Sequence, residues 1–266
     1  MQHTQLVNDH LYVHLTCHVH AGCQVNTVPS LNHFMASEQD TVQQLLQGVP
    51  HPYVGVPDDV HLGGYHDVML GSDYIIAVFF SVIGLVLGTL LLLTRHVATG
   101  QRLQLLWFVS SGLIHIFVEG AYILYPDFYT NTDPNMFMLE LWKEYSKADS
   151  RYATRDSSIV AIEGCTAFIM GPLCLVAALG LFAKSRWRFA VITLVSVCQF
   201  YGTVLYFLTS VLEGLPHTRP EPLYFWFMFT VMNAIWLVLP AVCTWDALCK
   251  MTCAVHAASK SNKKLV

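Results

Sequence analysis

Along this chain polar and apolar residues separate into long blocks rather than alternating. A polar stretch of residues 1–72, punctuated by glycine and proline and dotted with histidines, shows no clean period. It predicts a mostly disordered or surface-lying N-terminal extension. Five apolar runs follow, at approximately 74–94, 103–125, 158–183, 189–212 and 223–249. Each reaches the length of about 20 residues that a helix needs to cross a bilayer. The pattern predicts an all-α integral membrane protein, a bundle of five transmembrane helices over residues 73–250 with a basic tail at 251–266.

Composition supports this. The 266 residues are 54% hydrophobic and 12% charged, about half the charge of an ordinary soluble domain. Of the eight cysteines, Cys165, Cys174, Cys198, Cys243 and Cys249 lie within the apolar runs, where they act as small hydrophobes rather than a disulfide framework.

Basic residues set an orientation. Arg95 and Arg102 flank the first connection, Lys184, Arg186 and Arg188 the third, and Lys250, Lys260, Lys263 and Lys264 the C-terminal end. Residues 1–72 hold no Lys or Arg, and the 213–222 loop holds only Arg219. The positive-inside bias puts the N-terminus in the lumen and the C-terminus in the cytosol. The 126–157 loop runs against it with Lys143, Lys147, Arg151 and Arg155. The ending Lys263-Lys264-Leu265-Val266 has the form of a dilysine retrieval signal, which places the chain in the endoplasmic reticulum membrane and the nuclear envelope continuous with it.

Candidate chemistry lies inside the apolar runs. His115 and Glu119, two helical positions on one face, fall in the second run; ionisable groups at bilayer depth are expensive and usually face a partner, a cavity or a substrate. Counting about 1.5 Å per residue from the lumenal ends puts Glu119 about 9 Å deep, His115 about 15 Å, Glu163 about 8 Å, Thr166 about 12 Å, Thr203 about 14 Å, Asn233 about 15 Å and Trp236 about 20 Å. Four helices thus bring polar or aromatic groups into one slab, as a ligand cavity between bundle helices requires. Taken singly, His115, Thr166 or Asn233 could be a hydrogen-bonded core residue, Trp236 a structural aromatic, and Glu163 could snorkel to water. No second His or Cys shares the depth of His115 and Glu119, so no metal is expected there. The tail's His14, Cys17, His18, His20 and Cys23 match no standard zinc spacing.

The same residues lie in longer blocks: His115–Gly120, Leu141–Tyr152, Glu163–Pro172, Tyr201–Thr209, Pro222–Phe227 and Met232–Pro240. In these, from about residue 50 to 250, the chain resembles the emopamil-binding protein family, the sterol Δ8→Δ7 isomerases. Thr203 and Met170 depart from the family pattern, which has Asp and Trp there. The resemblance implies a cofactor-free shift of a ring double bond through protonation at C9, a cation at C8 and loss of a proton from C7. His115 and Glu119 are expected as the coupled proton donor and acceptor, Glu163 as the carboxylate facing the cation, and Trp236 as its aromatic neighbour. Asn233 and Thr166 are expected to orient the acids, and Thr203 to line the substrate site. The family also implies binding of lipophilic amines, which mimic the cation, and a homodimer; no nucleic-acid partner is expected. A non-catalytic sterol- or amine-binding protein using the same cavity, or a polar slab that only ties helices together, are the other readings of these residues.

Overall fold

A computed structural model describes residues 51–57 and 60–262. The extension up to residue 50, with its candidate zinc ligands, and Lys263 and Lys264 lie outside the described residues.

All five expected spans are helices long and apolar enough to cross a membrane. We name them α1 (Ser72–Leu93), α2 (Thr99–Leu124), α4 (Ser157–Phe182), α5 (Arg188–Leu212) and α6 (Leu223–Lys260). A short α3 (Phe137–Tyr145) lies in the connection between α2 and α4. No strand occurs among the described residues. The most extensive pairings are α5 with α6 and α2 with α4. By contrast, α1 buries only Ile75.

Two glycines set the α2–α4 crossing. A Cβ on Gly112 would stand 2.9 Å from Leu175 Cδ2 and 3.1 Å from Cys174 Cβ; one on Gly171 would stand 2.7 Å from Ile116 Cγ1 and 3.1 Å from His115 Cβ. Small residues let membrane helices approach closely, where dispersion replaces the missing hydrophobic drive. Here the approach holds the backbone of His115 against α4.

Three spans are not regular. Wide π-helical turns interrupt α2 at Ile114–Glu119 and α4 at Thr166–Met170, and Leu223–Val231 opens α6. Such turns insert a residue into the i→i−4 ladder and loosen its carbonyls. Trp142 Nε1 donates to the Val118 carbonyl within one of them, at 2.8 Å.

The connection between α2 and α4 forms a cap over one end of the bundle and buries five charged side chains, Glu140, Lys143, Glu144, Asp149 and Arg151. Lys143 and Glu140, both fully buried, pair at 2.8 Å, and Lys143 also donates to Asn131 O at 2.6 Å. Arg151 lies 2.7 Å from Asp149 and donates to Thr209 Oγ1 on α5. Burial works against the Arg151 charge, but the Asp149 carboxylate outweighs it and holds the guanidinium above its usual range. With Lys147 paired to Glu144 at 2.8 Å, three of the four basic residues that ran against the positive-inside count balance acids in the cap, while Arg155 donates to Tyr122 O.

Residues 51–57 and 60–71 pack onto the cap instead of trailing off. Tyr53, Leu62 and Tyr65 form a small core with Ala153. Tyr53 Oη donates to Lys143 O, Met69 N to Glu140 Oε2 and Ser72 Oγ to Glu144 Oε1. Aromatic residues spaced without a helical or strand period carry no periodic signal, which hid this segment.

Candidate active site

The π-helical turns of α2 and α4 pack against each other beside a cavity of about 170 Å³. His115, Glu119, Glu163, Thr166, Thr203, Asn233 and Trp236 all line it.

His115 is held from both sides. Its Nδ1 lies 2.7 Å from each Glu119 carboxylate oxygen. Its Nε2 lies 3.0 Å from Gln199 Nε2, 3.1 Å from Ser111 Oγ and 3.3 Å from Trp236 Nε1. An indole N–H only donates, so Nε2 is the acceptor and the hydrogen of the neutral ring sits on Nδ1, aimed at Glu119. The outer nitrogen is filled by protein groups. Glu119 is therefore the member of the pair free to meet a ligand.

Glu163 is 7% exposed, so it does not snorkel to water. Tyr152 Oη donates to its Oε1 at 2.6 Å. Burial first, and then the Glu163 charge, push the Tyr152 phenol well above its usual range, which keeps it a donor. Oε2 meets no N–H or O–H donor. The Glu119 carboxyl lines the same cavity.

Two expected roles are not what the side chains do. Thr166 Oγ1 donates to the Glu163 backbone carbonyl at 3.0 Å, not to its carboxylate. Asn233 Nδ2 donates to Tyr145 Oη at 2.8 Å and to Phe229 O at 2.7 Å. Thr203 Oγ1 returns to Gln199 O one turn back. Hydroxyls and amides in dry helices satisfy themselves on the nearest carbonyl, and the loosened turn of α6 supplies one to Asn233. The groups that hold the acids and the imidazole are Tyr152, Ser111 and Gln199. Gln199 carried a signal, a polar residue one turn from Thr203 in an apolar run. Tyr152 lies outside the spans and could be placed only by folding the cap.

Aromatic rings close the cap end of the cavity. Tyr145 and Tyr152 line it, with ring centroids 5.2 Å apart, and Trp142 stacks at 5.0 Å on Tyr152.

Five spans enclosing an acid-lined apolar cavity define a multi-pass membrane protein whose reactive groups face a lipophilic molecule. Residues 137–247 match the EXPERA (expanded EBP superfamily) family model. The 3-beta-hydroxysteroid-Delta(8),Delta(7)-isomerase of Rattus norvegicus is 39% identical over 208 residues, 76% of this chain and 89% of the rat protein. A probable 3-beta-hydroxysteroid-Delta(8),Delta(7)-isomerase of Arabidopsis thaliana is 32% identical over 218 residues, 82% of this chain and 96% of the plant protein. The isomeliandiol synthase of Melia azedarach is 38% identical over 174 residues, 65% of this chain and 81% of its own. The chain belongs to the EBP family of the EXPERA superfamily.

Proposed function

We infer that this chain is a sterol isomerase that moves the ring double bond from Δ8 to Δ7. The observation that carries the reading is that Glu119 and Glu163 line one apolar cavity inside the membrane, together with the names of its relatives.

The reaction adds one proton and removes one. The C8=C9 electron pair takes a proton at C9, which leaves a cation at C8. Loss of the C7 proton returns its bonding pair as C7=C8. No electrons are gained or lost, so the chemistry needs only an acid, a base and a site that stabilises positive charge. The carboxyl pair supplies all three. One of the two carboxyls, entering protonated, gives its proton to C9, and both, now ionised, face the cation at low dielectric, where attraction is strong. One carboxylate then takes the C7 proton and restores the starting state. His115 acts through Glu119, its Nδ1–H holding that carboxylate in place, while Tyr152 holds Glu163. Trp236 fixes the His115 tautomer and adds its ring to the wall around the cation.

A site that stabilises a carbocation also attracts a lipophilic ammonium ion of similar shape, so cationic amphiphiles are proposed as inhibitory ligands. The loop charges support an endoplasmic reticulum location with the cap in the lumen, and the family likeness a homodimer. The test is expression in yeast lacking its own Δ8→Δ7 isomerase, followed by sterol analysis. Δ7 sterols restored by the natural chain but not by Glu119→Gln support the reading; Δ8 sterols persisting with a membrane-inserted natural chain overturn it.

A further inference from the structure

A second cavity, of about 650 Å³, adjoins the first and shares Phe79, Phe80, Ile114, Met232 and Trp236 with it. It extends along α2 and α6 away from the cap, past Leu103, Leu106, Leu239 and Val242. The smaller cavity falls short of the about 300–1,000 Å³ typical of small-molecule sites. A sterol reacting at Glu119 and Glu163 must therefore reach into the larger one.

Which end reaches in follows from the bilayer. A sterol keeps its 3β-hydroxyl at the polar surface and its tail toward the midplane, because burying a hydroxyl without a partner is costly. The two acids lie near the cap, about 8–9 Å below that membrane face, one ring deeper than such a hydroxyl. The tail then points past Trp236 into the second cavity.

The walls of that cavity are largely apolar, with Asp246 and Lys250 among its lining residues and a polar row on α2. Gln104, Trp107 and Ser110 stand at i, i+3 and i+6 on α2, all three line the cavity, and each carries a polar atom without a partner: Gln104 Oε1, Trp107 Nε1 and Ser110 Oγ. Gln104 and Ser110 are each 8% exposed. The Gln104 amide is not free to turn, since its Nε2 donates to Asp246 Oδ2 at 2.8 Å, which leaves Oε1 as the open acceptor. Buried polar groups are normally paired, and unpaired ones mark a missing partner. Together the row offers an acceptor, a donor and a hydroxyl, the complement of an alcohol. It lies about 7–16 Å along α2 from His115, the reach of a sterol side chain beyond the reacting ring.

We propose that Gln104, Trp107 and Ser110 form a binding site for a hydroxylated sterol side chain, so that the chain prefers Δ8 sterols oxygenated in the tail over those with a plain alkyl tail. The proposal rests on the reading that the rings react at Glu119 and Glu163.

The test uses the full chain in lipid nanodiscs with three probes: a Δ8 sterol with an alkyl tail, its 25-hydroxy counterpart, and the alkyl-tail sterol methylated at the 3β-oxygen. Turnover and equilibrium competition binding are both measured. The 25-hydroxy sterol is expected to show a KM and a dissociation constant roughly ten-fold lower than the alkyl-tail sterol. Gln104→Leu and Ser110→Ala are each expected to cut that preference below about three-fold, with the alkyl-tail values little changed. Equal affinity for the two tails in the natural chain, or variants that weaken both equally, would overturn the proposal. So would loss of the 3β-methyl ether's binding together with weaker alkyl-tail binding in the variants, which would assign the row to the ring hydroxyl. If neither sterol turns over but the binding preference holds, the isomerase reading fails and the hydroxyl site stands.

Discussion

Glu119 grips His115 with both carboxylate oxygens, each 2.7 Å from Nδ1. The arrangement gives the imidazole an orientation and Glu119 a donor, while the carboxylate still lines the cavity. Glu119→Gln keeps an acceptor for Nδ1–H but cannot carry a proton. It is expected to lower kcat by about 10²–10⁴-fold with an unchanged unfolding midpoint. Kinetics and thermal unfolding on the same purified protein check both halves.

Trp236 has two separable functions. Its N–H reaches Ser111 Oγ and His115 Nε2 at 3.2 and 3.3 Å, and its ring lies 5.9 Å from the imidazole. Trp236→Phe keeps an aromatic wall without the donor. Affinity for a lipophilic ammonium probe should fall only slightly in Trp236→Phe, but about 5–30-fold in Trp236→Ala if the desolvated ring contributes about 1–2 kcal/mol. Isomerisation should slow in both. Competition binding beside a turnover assay separates the two functions.

Removing the Tyr152 hydroxyl leaves the ring stack intact and Glu163 without its donor at 2.6 Å. Tyr152→Phe should reduce kcat by roughly ten- to a hundred-fold, in the range of one lost charge-assisted hydrogen bond, with KM nearly constant. A matching rise in KM would assign the hydroxyl to substrate binding.

Asp156 caps α4, accepting from Ser158 N at 2.9 Å and Ile159 N at 3.3 Å. Burial alone would raise its carboxyl, but the hydrogen bonds from Ser158 and Ile159 outweigh burial and hold it below the usual range. A group lowered by folding stabilises the protein above its unfolded value, and that contribution is lost as pH falls through the folded value. Asp156→Ala should cost about 1 kcal/mol at neutral pH, and the gap to the natural chain should close in acid. Unfolding curves at neutral pH and below the carboxylate range measure it.

Lys143 and Glu140 are fully buried in the cap. Lys143→Met strands the acid and should destabilise the protein by about 3–5 kcal/mol, which chemical denaturation in micelles would show. A double variant with Glu140→Leu should recover most of that loss.

The spans were legible because a membrane imposes a coarse rule: about 20 apolar residues, whatever the detail. Ser72–Leu93 and Arg188–Leu212 begin or end within two residues of the apolar runs. The acids and the imidazole were legible for the converse reason, since Glu119, Glu163 and His115 are conspicuous in oil. What stayed hidden depended on backbone irregularity and on the cap. The π-helical turns leave no mark on hydropathy, yet they decide that Asn233 finds Phe229 O rather than a carboxylate. Tyr152 reaches Glu163 only after residues 126–156 have folded over the bundle, a long-range event that no periodicity announces. The ordering of residues 60–71 depends on the same cap, through Met69 and Glu140.

One helix stands apart from this packing. Ser72–Leu93 keeps a single side chain buried, yet its Phe79 and Phe80 border both cavities. So little of this wall is buried against its neighbours that most of its surface borders acyl chains and not water. Traffic through it is a matter of lateral diffusion: the molecule to be converted arrives and leaves within the leaflet where it already dissolves, and turnover will follow its mole fraction among the lipids rather than its concentration in solution.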